Sequence, residues 1–145
     1  MSEPLEVIVE LINEKVQFRG VSKTNPDQPI IMDYIPPIGD GQGYAGLELL
    51  LMSFAGCSST AIVCLLRRMK KTISGFSVKA QGIKRDQPPI KFEKILLEFS
   101  IHSKDATEKD VQKAIDLSEE SVCPVWAMLK NNVEVSTAFH IIAPE

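Results

Sequence analysis

Leu49-Leu50-Leu51-Met52-Ser53-Phe54-Ala55-Gly56-Cys57-Ser58-Ser59-Thr60 opens an uncharged run that lasts to Leu66 and ends in Arg67-Arg68-Met69-Lys70-Lys71. The run predicts a helix from about Leu47 to Lys71, ~25 residues and roughly 37 Å long at 1.5 Å per residue. The closing basic cluster complements the negative C-terminal end of the helix dipole and is not a nucleic-acid footprint. An uncharged helix of this length fits a membrane span or the central helix of a globular domain. Ser53, Ser58, Ser59, Thr60 and two cysteines argue for the second reading, as do flanking amphipathic strands that need a helix to cover them. We therefore expect no membrane association.

Outward from this helix the periodicity changes. Before it, Glu6–Ile12, Lys15–Gly20 and Pro29–Tyr34 read as strands of a meander, with a polar turn at Ser22–Asp27. Ile35 to Gly46 holds two prolines and the glycines Gly39, Gly41, Gly43 and Gly46, and reads as a loop. After the helix, Gly75–Ile83 and Phe92–His102 alternate as a strand pair across the turn Asp86-Gln87-Pro88-Pro89. Thr107 is placed to cap a second helix whose apolar positions are Val111, Ala114, Ile115, Leu117 and Val122. Pro124 then starts a short helix, Val125 to Lys130, which puts Cys123 at or beside its N-cap. Val133–Ile142 closes the chain as a strand. The order βββ-α-ββ-αα-β predicts an α+β fold with antiparallel sheets around a long central helix.

At 145 residues the chain is expected to form a single domain, residues 1–145, with a core of its own. A net charge of −3 and a pI near 5.5 give no electrostatic footprint for nucleic acid. Met1-Ser2-Glu3-Pro4 has neither a basic n-region nor an apolar h-region, so the expectation is a cytoplasmic, reducing compartment. Three cysteines without a CxxC suit neither a disulfide scaffold nor a thioredoxin-type motif.

The chemistry therefore rests on individual thiols. Cys57 lies deep in its helix, beyond reach of the positive N-terminal end. It is either a core cysteine or a nucleophile activated by a cation from elsewhere. Cys123, beside Pro124 at a helix start, stands where free N–H groups favour thiolate. Cys64 is two turns after Cys57, a rise of about 10 Å against a disulfide limit of roughly 7 Å between Cα atoms, and reads as a core cysteine. His102 and His140 lie far apart on strands without zinc-type spacing, so no metal or other cofactor is expected.

Two segments carry a resemblance. Gly46-Leu47-Glu48-Leu49-Leu50-Leu51-Met52-Ser53-Phe54-Ala55-Gly56-Cys57, followed by Leu117-Ser118-Glu119-Glu120-Ser121-Val122-Cys123-Pro124-Val125, resembles the OsmC/Ohr family of osmotically inducible and organic hydroperoxide resistance proteins. The element order matches that family's fold over nearly the whole chain. The resemblance implies an intertwined homodimer, with sites at the subunit interface, that works as a thiol peroxidase. Cys57 matches the peroxidatic cysteine, which is oxidised to a sulfenic acid, and Cys123 the resolving cysteine, which condenses with it to a disulfide. A dithiol or other thiol reductant restores both. Arg19 and Glu48 match the arginine and glutamate that activate the thiolate, although Arg19 lacks the glycine-rich context of the best-defined peroxidase branch. Glu48 also lies about 900° of helical rotation before Cys57, on the opposite face, where it complements the helix dipole. Leu50, Phe54 and Trp126, by their proximity to the motifs, are expected to form apolar walls that favour an organic hydroperoxide. A thiol redox sensor or small-molecule-binding protein on the same scaffold is the alternative, and inert core cysteines a third reading.

Overall fold

Short-period alternation in the first third of the chain produces strands. The computed structural model, which describes residues 3–144, contains β1 (Val7–Leu11), β2 (Phe18–Ser22) and β3 (Asn25–Met32). They form an antiparallel sheet in that order, with Val9 opposite Gly20 and Arg19 opposite Ile31. The third strand starts at Asn25, inside the segment the sequence suggests is a turn. Ser22 Oγ accepts the Asn25 N–H at 3.1 Å and lies 2.9 Å from Thr24 Oγ1, closing the connection tightly. Pro26 and Pro29 follow on an edge strand, beside a shift in register between Gly20 and Ser22. There a missing N–H breaks no ladder.

The loop after β3 is organised by one carboxylate. Asp33 is buried, and its oxygens accept the N–H groups of Tyr34 at 2.7 Å, Asp40 at 3.3 Å and Gln42 at 3.0 Å. These bonds hold its carboxyl below the usual 3.8; the Gln42 N–H has the largest effect, and burial works against it. Gly39 and Gly43 are needed because the chain folds back on itself. A Cβ on Gly39 would overlap the Asp33 carboxylate and the Tyr34 carbonyl, and one on Gly43 the Ile31 carbonyl.

Helix α1 runs without a break from Gly46 to Arg68. The described residues divide after Leu50 into two compact units, so its first residues belong to the first unit and the remainder to the second. The second unit adds β4 (Gly75–Lys84), β5 (Phe92–His102), α2 (Glu108–Leu117), a wide π-type turn (Ser118–Val122), α3 (Pro124–Leu129) and β6 (Glu134–Ile142). Thr107 caps α2 as expected: its side chain accepts the Asp110 N–H, and the Asp110 carboxylate accepts the Thr107 N–H. By composition α1 could cross a membrane, with a mean hydropathy of 2.1 over its most apolar window. Its inner face, however, packs in the protein: Phe54, Ser58, Ile62 and Leu66 are fully buried with Ile95, Phe99 and Ile101 of β5 and Val111 of α2. Ser58 fits an apolar core because its hydroxyl bonds back to the Phe54 carbonyl at 2.8 Å.

The α+β class and the element order match the sequence reading, and three details differ. The second sheet, ordered β4-β5-β6, is mixed: β4 pairs antiparallel with β5, and β6 pairs parallel to it. The parallel pairing follows from the helical crossover between β5 and β6, which returns the chain to the end where β5 began. Cys64 is exposed and not a core residue, because it lies outside the inner face marked by Phe54, Ser58, Ala61 and Ile62. Val122 is also exposed, because regular α-helical phase ends at Leu117.

The Asp33 cluster generates a prediction. Because folding depresses the Asp33 pKa, its stabilisation is complete above the unfolded value of about 3.9. It is lost as pH falls through the folded value. Asp33→Asn should lower the thermal midpoint at pH 7, and the gap from the native protein should shrink below about pH 4. A gap that does not change with pH would show that the charge at Asp33 contributes nothing.

Candidate active site

Two elements of the second unit bring Cys57 and Cys123 together. Cys57 is half-buried on α1, and its side chain packs against the core cluster that contains Cys123. Cys123 is the N-cap of α3, in extended conformation at φ −82° and ψ 112°, with Pro124 as the first helical residue. Its Sγ accepts the Trp126 backbone N–H at 3.4 Å. Both thiols are free, and Cys123 is only 2% exposed.

The wide turn before Cys123 explains how it enters the core. Val111, Ala114, Ile115 and Ser118 follow the inward stripe of an α-helix and are buried. In continued α-helical phase the next inward residue would be Val122. The Cys123 N–H instead bonds the Ser118 carbonyl at 2.9 Å, five residues back, so the turn holds one residue more. Cys123 thereby takes the inward position and Val122 is turned out to solvent. The sequence offers one signal for this widening: Pro124 has no N–H with which to continue an α-helical ladder.

Electrostatics distinguish the two thiols. Burial pushes the Cys123 thiol above its ordinary 9.0, the Trp126 N–H opposes this, and the neighbouring Cys57 thiol raises it further. Cys123 therefore holds its proton at neutral pH, whereas Cys57 is the more accessible sulfur. The surroundings are apolar: Phe54 and Trp126, both fully buried, meet edge to face with ring centroids 5.4 Å apart.

The remaining sequence candidates lie in the first unit. Arg19 is exposed on β2, opposite Glu10 and Ile31 in the ladders. The Glu48 carboxylate accepts the Ala45 N–H at 2.9 Å, a helix-capping contact at the start of α1. Leu50 is 37% exposed. Among the described residues no group of three or more His, Cys, Asp or Glu could hold a metal ion. The sequence groups Phe54 and Trp126 as walls of the site without giving their edge-to-face contact, and it does not give the wide turn that positions Cys123.

With this geometry in hand, similarity to other proteins becomes informative. The family model for OsmC-like proteins matches residues 39–138. Protein YhfA of Escherichia coli strain K12 is 30% identical over 97 residues, covering 67% of this chain and 72% of YhfA. A crystal structure of a hypothetical protein from Aquifex aeolicus superposes with a TM-score of 0.84 at 24% identity, over 99% of this chain and all of that one. An organic hydroperoxide resistance protein from Elizabethkingia anophelis superposes with a TM-score of 0.71 at 14% identity, covering 98% and 99% of the two chains. At these identities the two structures establish the fold.

The paired thiols generate a prediction about pH. Replacing Cys57 by Ala removes the neighbour that raises Cys123 and leaves the burial that does most of the raising. The pH profile of Cys123 alkylation, followed by peptide mass mapping, should move down in Cys57→Ala and stay above the ordinary cysteine value. An unmoved or upward-shifted profile would contradict the contact.

Proposed function

This chain belongs to the OsmC-like protein family, and on that premise we propose that it is a cysteine-based peroxidase that reduces organic hydroperoxides. The observation that carries the proposal is the pair of free, neighbouring thiols, one half-buried on α1 and one buried at the N-cap of α3. Their asymmetry supports the roles given to them in this proposal. Cys57, the more accessible sulfur, attacks as thiolate on the peroxide oxygen. The O–O bond breaks, the alcohol leaves after protonation, and Cys57 becomes a sulfenic acid. The Cys123 sulfur then attacks the Cys57 sulfur, releasing water and forming a disulfide. A dithiol returns two electrons and two protons by exchange. Resistance to over-oxidation follows, because the resolving thiol is already in place.

Further elements belong to the same proposal. By the family resemblance, Arg19 is assigned to assist the oxidation of Cys57, whereas Glu48 caps the start of α1. Leu50, Phe54 and Trp126 provide the apolar surroundings that favour an alkyl hydroperoxide over hydrogen peroxide. The Elizabethkingia anophelis structural neighbour, named as an organic hydroperoxide resistance protein, is in keeping with this substrate class. The working unit is a homodimer. Val7, Ile8, Val9 and Leu11 of β1 are all exposed, as are Ile30 of β3 and Met52 of α1. A three-stranded sheet with this much bare apolar surface needs a cover, and a second copy of the chain supplies one. Sedimentation of a monomer at micromolar concentration would remove this element. Reducing conditions in the cytoplasm suit a thiol that must be regenerated.

Kinetics of four proteins test the reading. With an organic hydroperoxide and a dithiol, native protein should turn over and Cys57→Ser should not. Cys123→Ser should complete its first turnover and then accumulate Cys57 sulfinic and sulfonic acid, read by mass spectrometry. Arg19→Gln should slow the first oxidation by at least about tenfold. Turnover retained in Cys57→Ser would contradict the peroxidase assignment. Disulfide formation without turnover would favour a redox sensor.

A further inference from the structure

The ring contact between Phe54 and Trp126 connects the same two elements that carry the thiols. Phe54 lies one helical turn before Cys57 on α1, and positions three apart share a helix face. Trp126 lies one turn after Cys123, and its backbone N–H reaches the Cys123 Sγ. The thiol contact and the aromatic contact therefore run side by side between α1 and the start of α3. Both rings are fully buried and meet edge to face at 78°, a geometry aromatic pairs favour. The Trp126 Nε1 has no hydrogen-bond partner among the described residues, so the ring acts through its packing.

We propose that the Phe54–Trp126 contact is a positioning device that sets the effective concentration of the Cys123 thiol at Cys57, and with it the reduction potential of the pair. This rests on the reading of Cys57 and Cys123 as a dithiol that interconverts with a disulfide. Disulfide geometry is narrow, with Cβ atoms about 3.8 Å apart, so small displacements of α3 relative to α1 weaken closure. Closure in a glutathione buffer is balanced. Glutathione disulfide accepts two electrons and two protons from the thiols, giving two glutathione molecules and one Cys57–Cys123 bond. Trp126 and Phe54 are thus positioning residues and touch no reacting bond. Substitution of Trp126 leaves its backbone N–H in place, which isolates the contribution of the ring.

The test equilibrates the full-length native protein, Trp126→Phe, Trp126→Leu and Phe54→Leu in glutathione buffers of graded ratio. The fraction of Cys57–Cys123 disulfide is then read by acid quenching and peptide mapping. Trp126→Leu and Phe54→Leu should each lower the effective concentration by about tenfold, a potential shift of about 30 mV. Trp126→Phe, which keeps a ring against Phe54, should stay within about threefold of the native protein. The double variant Trp126→Leu with Phe54→Leu should fall no further than either single change, as two halves of one contact require. Should Trp126→Leu fail to fold, the contrast between Phe54→Leu and Trp126→Phe decides the matter alone. Native-like effective concentrations in the leucine variants, or equal losses in Trp126→Phe and Trp126→Leu, would overturn the positioning role and leave the thiol pair standing. A native protein that forms no such disulfide at any ratio would overturn the pair itself.

Discussion

The second unit depends on burial of the inner face of α1 against β5. Phe54, Ile62 and Leu66 lose nearly all exposure to water there, together with Ile95, Phe99 and Ile101. Each such side chain contributes about 1.5–3 kcal/mol on burial, so this interface outweighs any single polar contact in the unit. The interface also fixes the azimuth of α1, and the azimuth decides what each cysteine can do. Cys57 lies at the flank of the buried face, where a sulfur is partly accessible and still touches the core. Cys64, two turns on, lies beyond that flank in solvent.

The second constraint is local and concerns a single residue of helical phase. The turn Ser118–Val122 holds one residue more than an α-helical turn, and this exchange brings Cys123 inward in place of Val122. A thiol at that position is desolvated, which raises its pKa, while the Trp126 N–H limits the rise. The result is a division of labour. In the proposed mechanism the sulfur that reacts first is the accessible one, and the one that waits is buried and protonated. In that mechanism proximity supplies the second step, because a neighbouring thiol competes with further oxidant as an intramolecular group.

Much of the scaffold was legible in the sequence because hydrophobic period and cap chemistry agree along most of it. The uncharged run gave α1, the alternation at Phe92–His102 gave β5, and Thr107 gave the start of α2. The parallel β6 was not legible, because strand direction is set by the crossover and leaves no mark on alternation. Apolar spacing misplaced Val122, since it assumes one helical period and the chain changes period at Ser118. Cys64 was misread because an almost uniformly apolar helix does not announce which face is the core. At the site, the two cysteines could be singled out from Pro124 and from their flanking motifs. Their pairing is implied only by the family resemblance, because the contact joins distant segments of the chain and leaves no mark on spacing. Arg19 and Glu48 show the reverse: the sequence suggests roles for them, and their visible contacts are a strand ladder and a helix cap.

In the proposed mechanism Cys57 and Cys123 act as one two-electron couple. The most direct test adds one equivalent of an organic hydroperoxide to fully reduced protein and maps every cysteine after rapid quenching. The account predicts loss of two thiols per peroxide consumed, a bond between Cys57 and Cys123, and Cys64 still free. Consumption of no peroxide with all three thiols intact, or a bond that includes Cys64 in place of Cys123, would contradict it.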